Sequence, residues 1–220
     1  ASGGVIHIIT KDPTPEFSGT IAATAIEEDE YRLDGTVSGP ISDALSFRFT
    51  GSVVDDKGYA NNVFNGERIN GNESSNARLK LLWAASEELE LLWSSDYSES
   101  DCDCNSLGVR SIMAGPLQDL LLAEQFPVVP SDDNQDVNND QPTTTELRSS
   151  GHALTINWTI NDYQLTSITS VRDWRNENFV DFDNRPINPI AVSFPAPFKT
   201  EQDQFSQEFR LASAPADWGS

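Results

Sequence analysis

Leu45-Ser46-Phe47-Arg48-Phe49-Thr50-Gly51-Ser52-Val53 decides the fold. Leu45, Phe47, Phe49, Gly51 and Val53 fall on one side, and Ser46, Arg48, Thr50 and Ser52 on the other, which is the period of two of a strand with one apolar and one wet face. The same alternation spreads outward. Upstream, Tyr31, Leu33, Gly35 and Val37 oppose Arg32, Asp34, Thr36 and Ser38. Downstream, Leu79, Leu81 and Trp83 oppose Arg78 and Lys80, and Leu89, Leu91, Trp93 and Tyr97 oppose Glu90, Ser94 and Asp96. Leu154, Ile156, Trp158 and Ile160 oppose Thr155, Asn157 and Thr159. Residues 17–26 and 205–211 are weaker strands. Residues 163–181 are long and alternate poorly, which predicts a bulge that shifts register.

Charged residues such as Arg32, Asp34, Arg78 and Lys80 do not suit the inward face of a soluble sandwich. In a membrane barrel the sidedness inverts, with apolar residues toward lipid and charged ones toward a wet or plugged interior. A soluble sheet with one face in water alternates in the same way, so the connections carry the decision. Pro40-Ile41-Ser42-Asp43, Ser86-Glu87-Glu88 and Asn161-Asp162 are tight-turn sequences, whereas residues 58–75, 99–149 and 183–203 are long and polar. Antiparallel neighbours put all short turns on one rim and all long loops on the other, the asymmetry of outer-membrane barrels. Trp83, Trp158 and Tyr163 lie near the short turns and Tyr31 and Tyr97 near the other rim, as two interfacial girdles would.

This reading predicts an antiparallel meander of about eight strands. Leu33, Phe47, Phe49, Leu79, Leu81, Leu91, Ile156 and Trp158 are expected to share the convex face. Arg32, Arg48, Arg78, Lys80, Glu90 and Asn157 are expected on the concave one, where Lys80→Gln should be tolerated.

The composition agrees. A hydrophobic content of 37% is low for a filled globular core. Fourteen basic against thirty-five acidic residues, a net charge of -21, argue against nucleic acid and favour solvated acidic loops over metal capture. No apolar run approaches the roughly 20 residues of a membrane-spanning helix. No secretory signal is visible ahead of Ala1, and an upstream piece is expected. Cys102 and Cys104 fit an exported protein, but a ring closed through one intervening residue is tight. Bridged and unbridged states both stay open.

No catalytic constellation emerges. His7 and His152 belong to no ligand-spaced motif, and no nucleophile elbow, zinc-protease motif or phosphate loop occurs. Paired carboxylates are abundant as in any acidic chain. Asp132, Asn134, Asp136, Asn138 and Asp140 set oxygen ligands at every second position, as a calcium loop does. Counted from Asp132, however, the sixth position is Val137 and the twelfth Thr143, where that loop needs glycine and glutamate. A solvated, mobile loop is the expected reading, with no metal or cofactor site. Residues 112–126, with Leu117, Leu120 and Leu121 on one face after Gly115-Pro116, predict a short helix packed against neighbouring loops.

The start of the chain, Ala1-Ser2-Gly3-Gly4-Val5-Ile6-His7-Ile8-Ile9-Thr10-Lys11-Asp12-Pro13, reads by itself as a Gly-Gly turn before a β-branched strand. It also resembles the end of the plug domain of TonB-dependent outer-membrane receptors, Ala-x-Gly-Gly-Val-Ile-Asn-Ile-x-Thr-Lys-x-Pro, with His7 where the family has asparagine. Val37-Ser38-Gly39-Pro40-Ile41-Ser42-Asp43, Lys80-Leu81-Leu82-Trp83 and Phe205-Ser206-Gln207-Glu208-Phe209-Arg210-Leu211-Ala212-Ser213 resemble barrel stretches of the same family. The resemblance implies residues 1–13 as the end of the plug and 17–220 as the first part of a transmembrane β-barrel of about 22 strands, so that the eight strands read here are expected as an open meander with unpaired lateral edges. It further implies the outer membrane of a Gram-negative bacterium, contact with its lipid, and import of a scarce solute driven by a TonB partner. The cargo it implies most often is a ferric siderophore or other iron complex. Carbohydrate uptake is the alternative within the family, for which Phe64, Phe126, Phe194 and Phe198 are candidate loop platforms. A secreted acidic adhesin or other soluble β-protein is the alternative of another class. The TonB box of the family has no match in this sequence.

Overall fold

The computed structural model describes residues 9–27, 29–104, 106–180, 186 and 196–213. The elements, in chain order, are β1 (Ser18–Ile26), β2 (Glu30–Ser42), β3 (Leu45–Asp56), β4 (Ala60–Asn62), β5 (Glu67–Ile69), β6 (Asn72–Ala84), β7 (Leu89–Cys102), α1 (Gln118–Gln125), β8 (Asp136–Val137), β9 (Thr144–Ile160), β10 (Tyr163–Val180) and β11 (Ala196–Ser213). Eight of the strands form one sheet in the order β1-β2-β3-β6-β7-β9-β10-β11, every neighbour antiparallel. The sheet does not close, and β1 and β11 are its two edges. The open meander expected from the sequence is the observed one.

Register sets the faces. Phe47 lies opposite Leu81, Leu81 opposite Trp93, and Trp93 opposite Leu154. Leu33 is opposite Val53 and Phe49 opposite Leu79, while Leu91 faces Trp83 on one side and Ile156 on the other. Arg48 lies opposite Lys80, Arg78 opposite Asp96, and Glu90 opposite Asn157. Directly paired residues share a face, so the two sequence-derived sets fall on opposite faces unmixed. The apolar face covers nothing: Ile21, Trp83, Phe205, Phe209 and Leu211 are exposed. The buried aliphatic residues among the described ones, Ala60, Ile69, Val128 and Val137, lie outside the large sheet.

The connections are as uneven as the sequence predicts. β9 and β10 are joined by Asn161-Asp162, with Asn161 at φ 53°, a value that asparagine tolerates. Between β6 and β7, Ser86 Oγ accepts the Glu88 N–H at 3.2 Å and closes a tight turn.

Several expectations are corrected. β10 pairs residue for residue with both β9 and β11, with no bulge. Its poor alternation reflects small hydroxyl residues such as Ser167 and Ser170, which a strand held by two neighbours accepts on either face. The register shift found lies instead between Pro40 and Ser42, where proline has no N–H to give the ladder. Strands also extend past their predicted ends into the long connections: β6 starts at Asn72, β9 at Thr144 and β11 at Ala196. Those ends are polar on both faces, so pairing continues where alternation has stopped. Residues 58–75 and 99–149 are accordingly not bare loops, since they carry a second sheet in the order β5-β4-β8.

An exposed apolar face and two open edges make the 220-residue chain insoluble by itself. In detergent-free buffer it should sediment as large assemblies that a membrane-mimetic detergent disperses. A stable monomer by sedimentation velocity in plain buffer would contradict that.

Candidate functional site

The polar face of the sheet receives the start of the chain. Lys80 Nζ donates to the Thr10 carbonyl at 3.0 Å and to Asp12 Oδ1 at 2.8 Å, and Lys80 is itself buried. On β2, fully buried Ser38 donates through Oγ to the Phe47 carbonyl at 2.9 Å. The same oxygen accepts the Thr14 N–H and the Thr14 hydroxyl, each at 2.9 Å, which satisfies it fully. Segment 10–14 is thus pinned at two points across β2, β3 and β6. Sequence patterning marked Lys80 as one more solvated cation whose loss is harmless. The structure corrects this, because the ammonium holds a backbone carbonyl and a carboxylate together. The glycines and His7 of the opening stretch lie outside the described residues.

A second network crosses the same face. Arg172 on β10 reaches over β9 to Asp96 on β7, with Nη2 at 3.1 and 3.0 Å from the two carboxylate oxygens, and Arg78 on β6 approaches Asp96 from the other side at 3.7 Å. The residue between Asp96 and Arg172 in register is Gly151. A Cβ there would stand 2.5 Å from Arg172 Nη2, so only glycine leaves the guanidinium its path. The alternation of residues marks Asp96 as a polar-face residue; the face of Arg172, in a stretch that alternates poorly, and the need for Gly151 are visible only in the paired strands.

At the rim of the long connections the acidic residues line up. Asp55, Glu73, Asp101, Glu146 and Glu177 stand directly opposite one another across β3, β6, β7, β9 and β10, on the face that carries the apolar residues lower down. Lys57 bridges Asp55 and Glu73 at 2.8 and 3.2 Å, and Lys199 reaches Glu177 at 3.2 Å. Beside this row lies a cup of about 310 Å³ whose lining includes Asp56, Arg68, Asp103 and Glu146. Cys102, in its wall, is joined to Cys104 by a disulfide. Burial pushes the Asp103 carboxyl above the ordinary carboxylate range, against the opposing pull of the Gly71 N–H that it accepts at 2.7 Å.

The Asp/Asn run is tied into the surrounding connections by its own hydrogen bonds. Asn134 accepts the Asp136 N–H at 3.0 Å and donates to the Val109 and Asp136 carbonyls. Asp136 Oδ1 accepts from Asn61, and buried Asn138 donates to the Phe126 carbonyl at 2.9 Å. Asn62 pairs with the Asn139 backbone in both directions, at 2.9 and 3.1 Å. Of the oxygens at alternate positions, that of Asn134 takes a backbone N–H and one of Asp136 a side-chain amide, and no cluster of three metal-ligating acidic, histidine or cysteine side chains occurs among the described residues. The expected solvated loop is also corrected: Val137, Asn138 and Asn139 are buried. These amides replace the sheet ladder where the backbone turns, and Gly58 at φ 77° sits so close to the Ile69 carbonyl that a Cβ would lie 2.2 Å from it.

The remaining candidates scatter. His152 stacks on Trp93 on the apolar face with ring centroids 6.3 Å apart. α1 is shorter than predicted; on the face expected to pack, Leu117 and Leu120 are exposed and Leu121 is half-buried, and the buried residue of the helix is Gln125. Phe64 and Phe126 are exposed in the connections, Phe198 belongs to β11, and Phe194 lies outside the described residues.

Comparison with solved structures identifies the fold. The chain is similar to the ferric yersiniabactin uptake receptor FyuA from Yersinia pestis, with a TM-score of 0.71 and 17% identity over 98% of this chain and 30% of that one. It is similar to FpvAI from its complex with pyocin S2, with a TM-score of 0.65 and 15% identity over 91% of this chain and 26% of that one. For the siderophore receptor PirA from Acinetobacter baumannii the TM-score is 0.55 and the identity 19%, over 92% of this chain and 28% of that one. No family model and no curated protein matches the chain. The fold is an open segment of the β-barrel wall seen in those structures, the architecture implied by the resemblance to TonB-dependent receptors. The chain spans less than a third of the length of each of these receptors. In such a wall the polar face is the lumen side and the apolar face the lipid side.

Two outcomes follow. In the full-length protein, Lys80→Gln should destabilise by about 1–3 kcal/mol, the scale for losing a charged hydrogen-bond donor from a mostly buried position, read as a lower melting temperature in detergent; an unchanged melt would return Lys80 to the solvated class. For Asp103 the sign follows from its raised pKa: the folded state holds the proton more tightly than the unfolded chain, so stability is lost as pH rises through that value. Asp103→Asn, which keeps the acceptor for Gly71, should melt above the parent at neutral pH, with the difference shrinking as the pH is lowered.

Proposed function

We propose that this chain is part of an outer-membrane receptor that imports a scarce, bulky solute, an iron complex, with energy delivered by a TonB partner. The observation that carries the reading is a lipid-compatible band on a receptor-type barrel wall. The nine residues from Tyr163 to Val171 and the nine from His152 to Ile160 contain no charge, close to the roughly 9–11 residues with which a tilted strand crosses a bilayer. Directly beyond them come Arg172, Asp173 and Arg175 on β10 and Arg148 and Glu146 on β9. The carboxylate row from Asp55 to Glu177 lies further out on the lipid-side face, where only water or headgroups accept it. Trp83, Trp158 and Tyr163 are exposed at the opposite margin, at the depth of an interfacial girdle.

The cargo rests on likeness. One similar structure is a ferric yersiniabactin uptake receptor and another a siderophore receptor, which favours an iron complex. Exposed Tyr59, Phe64 and Phe126 at the long-connection rim are the specific observation that keeps carbohydrate uptake as the second reading. No residue of this chain is assigned a catalytic role.

Three measurements on the full-length protein test the proposal. It should stay with the outer membrane through a carbonate wash, whereas release into the wash would favour a soluble acidic β-protein. Leu81→Arg, in the middle of the band, should cost roughly 2–4 kcal/mol and reduce the folded, heat-modifiable fraction. Cells relying on this receptor should accumulate radiolabelled iron from a siderophore only when TonB is present; TonB-dependent uptake of an oligosaccharide with no iron uptake would shift the cargo to carbohydrate.

A further inference from the structure

We propose that the lumen face carries an oxyanion site formed by Arg48, Arg78 and Lys11. These side chains and Lys80 line a pocket of about 290 Å³ together with Thr10, Thr36 and Thr50. Four cations in one pocket stand out in a chain that has only fourteen basic residues and a net charge of -21. No carboxylate lines the pocket among the described residues. The nearest ones are committed elsewhere: Asp12 to Lys80 at 2.8 Å, and Asp96 to Arg172 at 3.0 Å, with Arg78 only at 3.7 Å. Asp34 sits further along β2, opposite Ser52. Arg48 and Lys11 have no ion pair or hydrogen bond of their own among the described residues.

Register makes the crowding unavoidable. Arg48 stands directly opposite Lys80, and Thr50 directly opposite Arg78, so β3 and β6 present adjacent cations on one face. Like charges opposite one another repel; Asp12 offsets Lys80 and Asp96 approaches Arg78 at 3.7 Å, while the Arg48 and Lys11 side chains have no such partner among the described residues. A guanidinium offers a planar fork of donors that matches a carboxylate or phosphate, and the Thr36 and Thr50 hydroxyls, 3.3 Å apart, supply further donors. The pocket therefore takes an oxyanion, a carboxylate or a phosphate-like group. Its source is either a free anion in the lumen or an Asp or Glu side chain from elsewhere in the full-length polypeptide. The site stands on the wall geometry alone and does not depend on the cargo proposed above.

The test uses full-length protein in detergent with inorganic phosphate as the probe, and compares the parent with Arg48→Gln, Arg48→Lys and Arg175→Gln, the last on the lipid-side face. If the anion is free, calorimetry should show saturable phosphate binding that weakens about ten-fold or more in Arg48→Gln, less in Arg48→Lys, and not in Arg175→Gln. If a side chain fills the site, the parent should bind no phosphate, a structure of the full-length protein should show a carboxylate paired with Arg48, and Arg48→Gln should lower the melting temperature more than Arg175→Gln. Should Arg48→Gln fail to fold, Arg48→Lys and the full-length structure still decide. Phosphate binding that survives Arg48→Gln undiminished, or no bound phosphate together with no oxyanion on Arg48 in the structure, would overturn the proposal.

Discussion

Backbone pairing between neighbouring strands is the interaction on which the rest depends. The large sheet has no core beneath it: its apolar side chains are exposed and its polar face holds charges and hydroxyls, so side-chain burial does not decide where each residue goes. What decides is the continuous antiparallel ladder, which pairs each interior strand with a neighbour on both sides. That is the condition for placing polypeptide where water is excluded. Because successive side chains alternate, a slip of one residue in any pair would carry arginines to the lipid side and leucines to the lumen. The ladder from β2 to β11 is regular except at Pro40, and the separation of faces rests on that regularity.

The charge distribution follows from the same ladder. A net charge of -21 invites the picture of a uniformly acidic surface, yet the wall sorts its charges by height and face. Carboxylates gather in register at the long-connection rim, where water screens their repulsion and Lys57 and Lys199 partly compensate it. Cations gather on the lumen face, where Lys80 fixes the incoming chain and Asp96 binds Arg172 across the gap that Gly151 leaves. Electrostatics at each level therefore has its own partner: solvent at the rim, polypeptide in the lumen.

The rim also shows why polar composition is a poor guide to disorder. The Asp/Asn-rich run reads as solvated chain or, less well, as a cation loop. In the structure Asn134 and Asn138 of the run donate to the Val109 and Phe126 carbonyls, and the side chain of Asn62 pairs with the backbone of Asn139. An amide carries a donor and an acceptor like a peptide group, so a turning chain substitutes such side chains for ladder bonds. Around Ala60, Ile69 and Val137 this gives a small ordered module with a core of its own.

The sequence by itself determined the strand count, the two faces, the side of the short turns and the kind of protein resembled, because period-two alternation and turn chemistry are local properties written along the chain. It also supplied the identities of Lys80, Asp96 and Arg172 without their meaning. Only the tertiary structure decided that Lys80 is a buried anchor for Thr10 and Asp12, that Gly151 is a passage for a guanidinium, that Arg48 and Arg78 crowd one pocket, and that the Asp/Asn run is folded. The physical reason is that each of these depends on which residues stand opposite one another across strands, and register is a property of the paired sheet that no single strand contains.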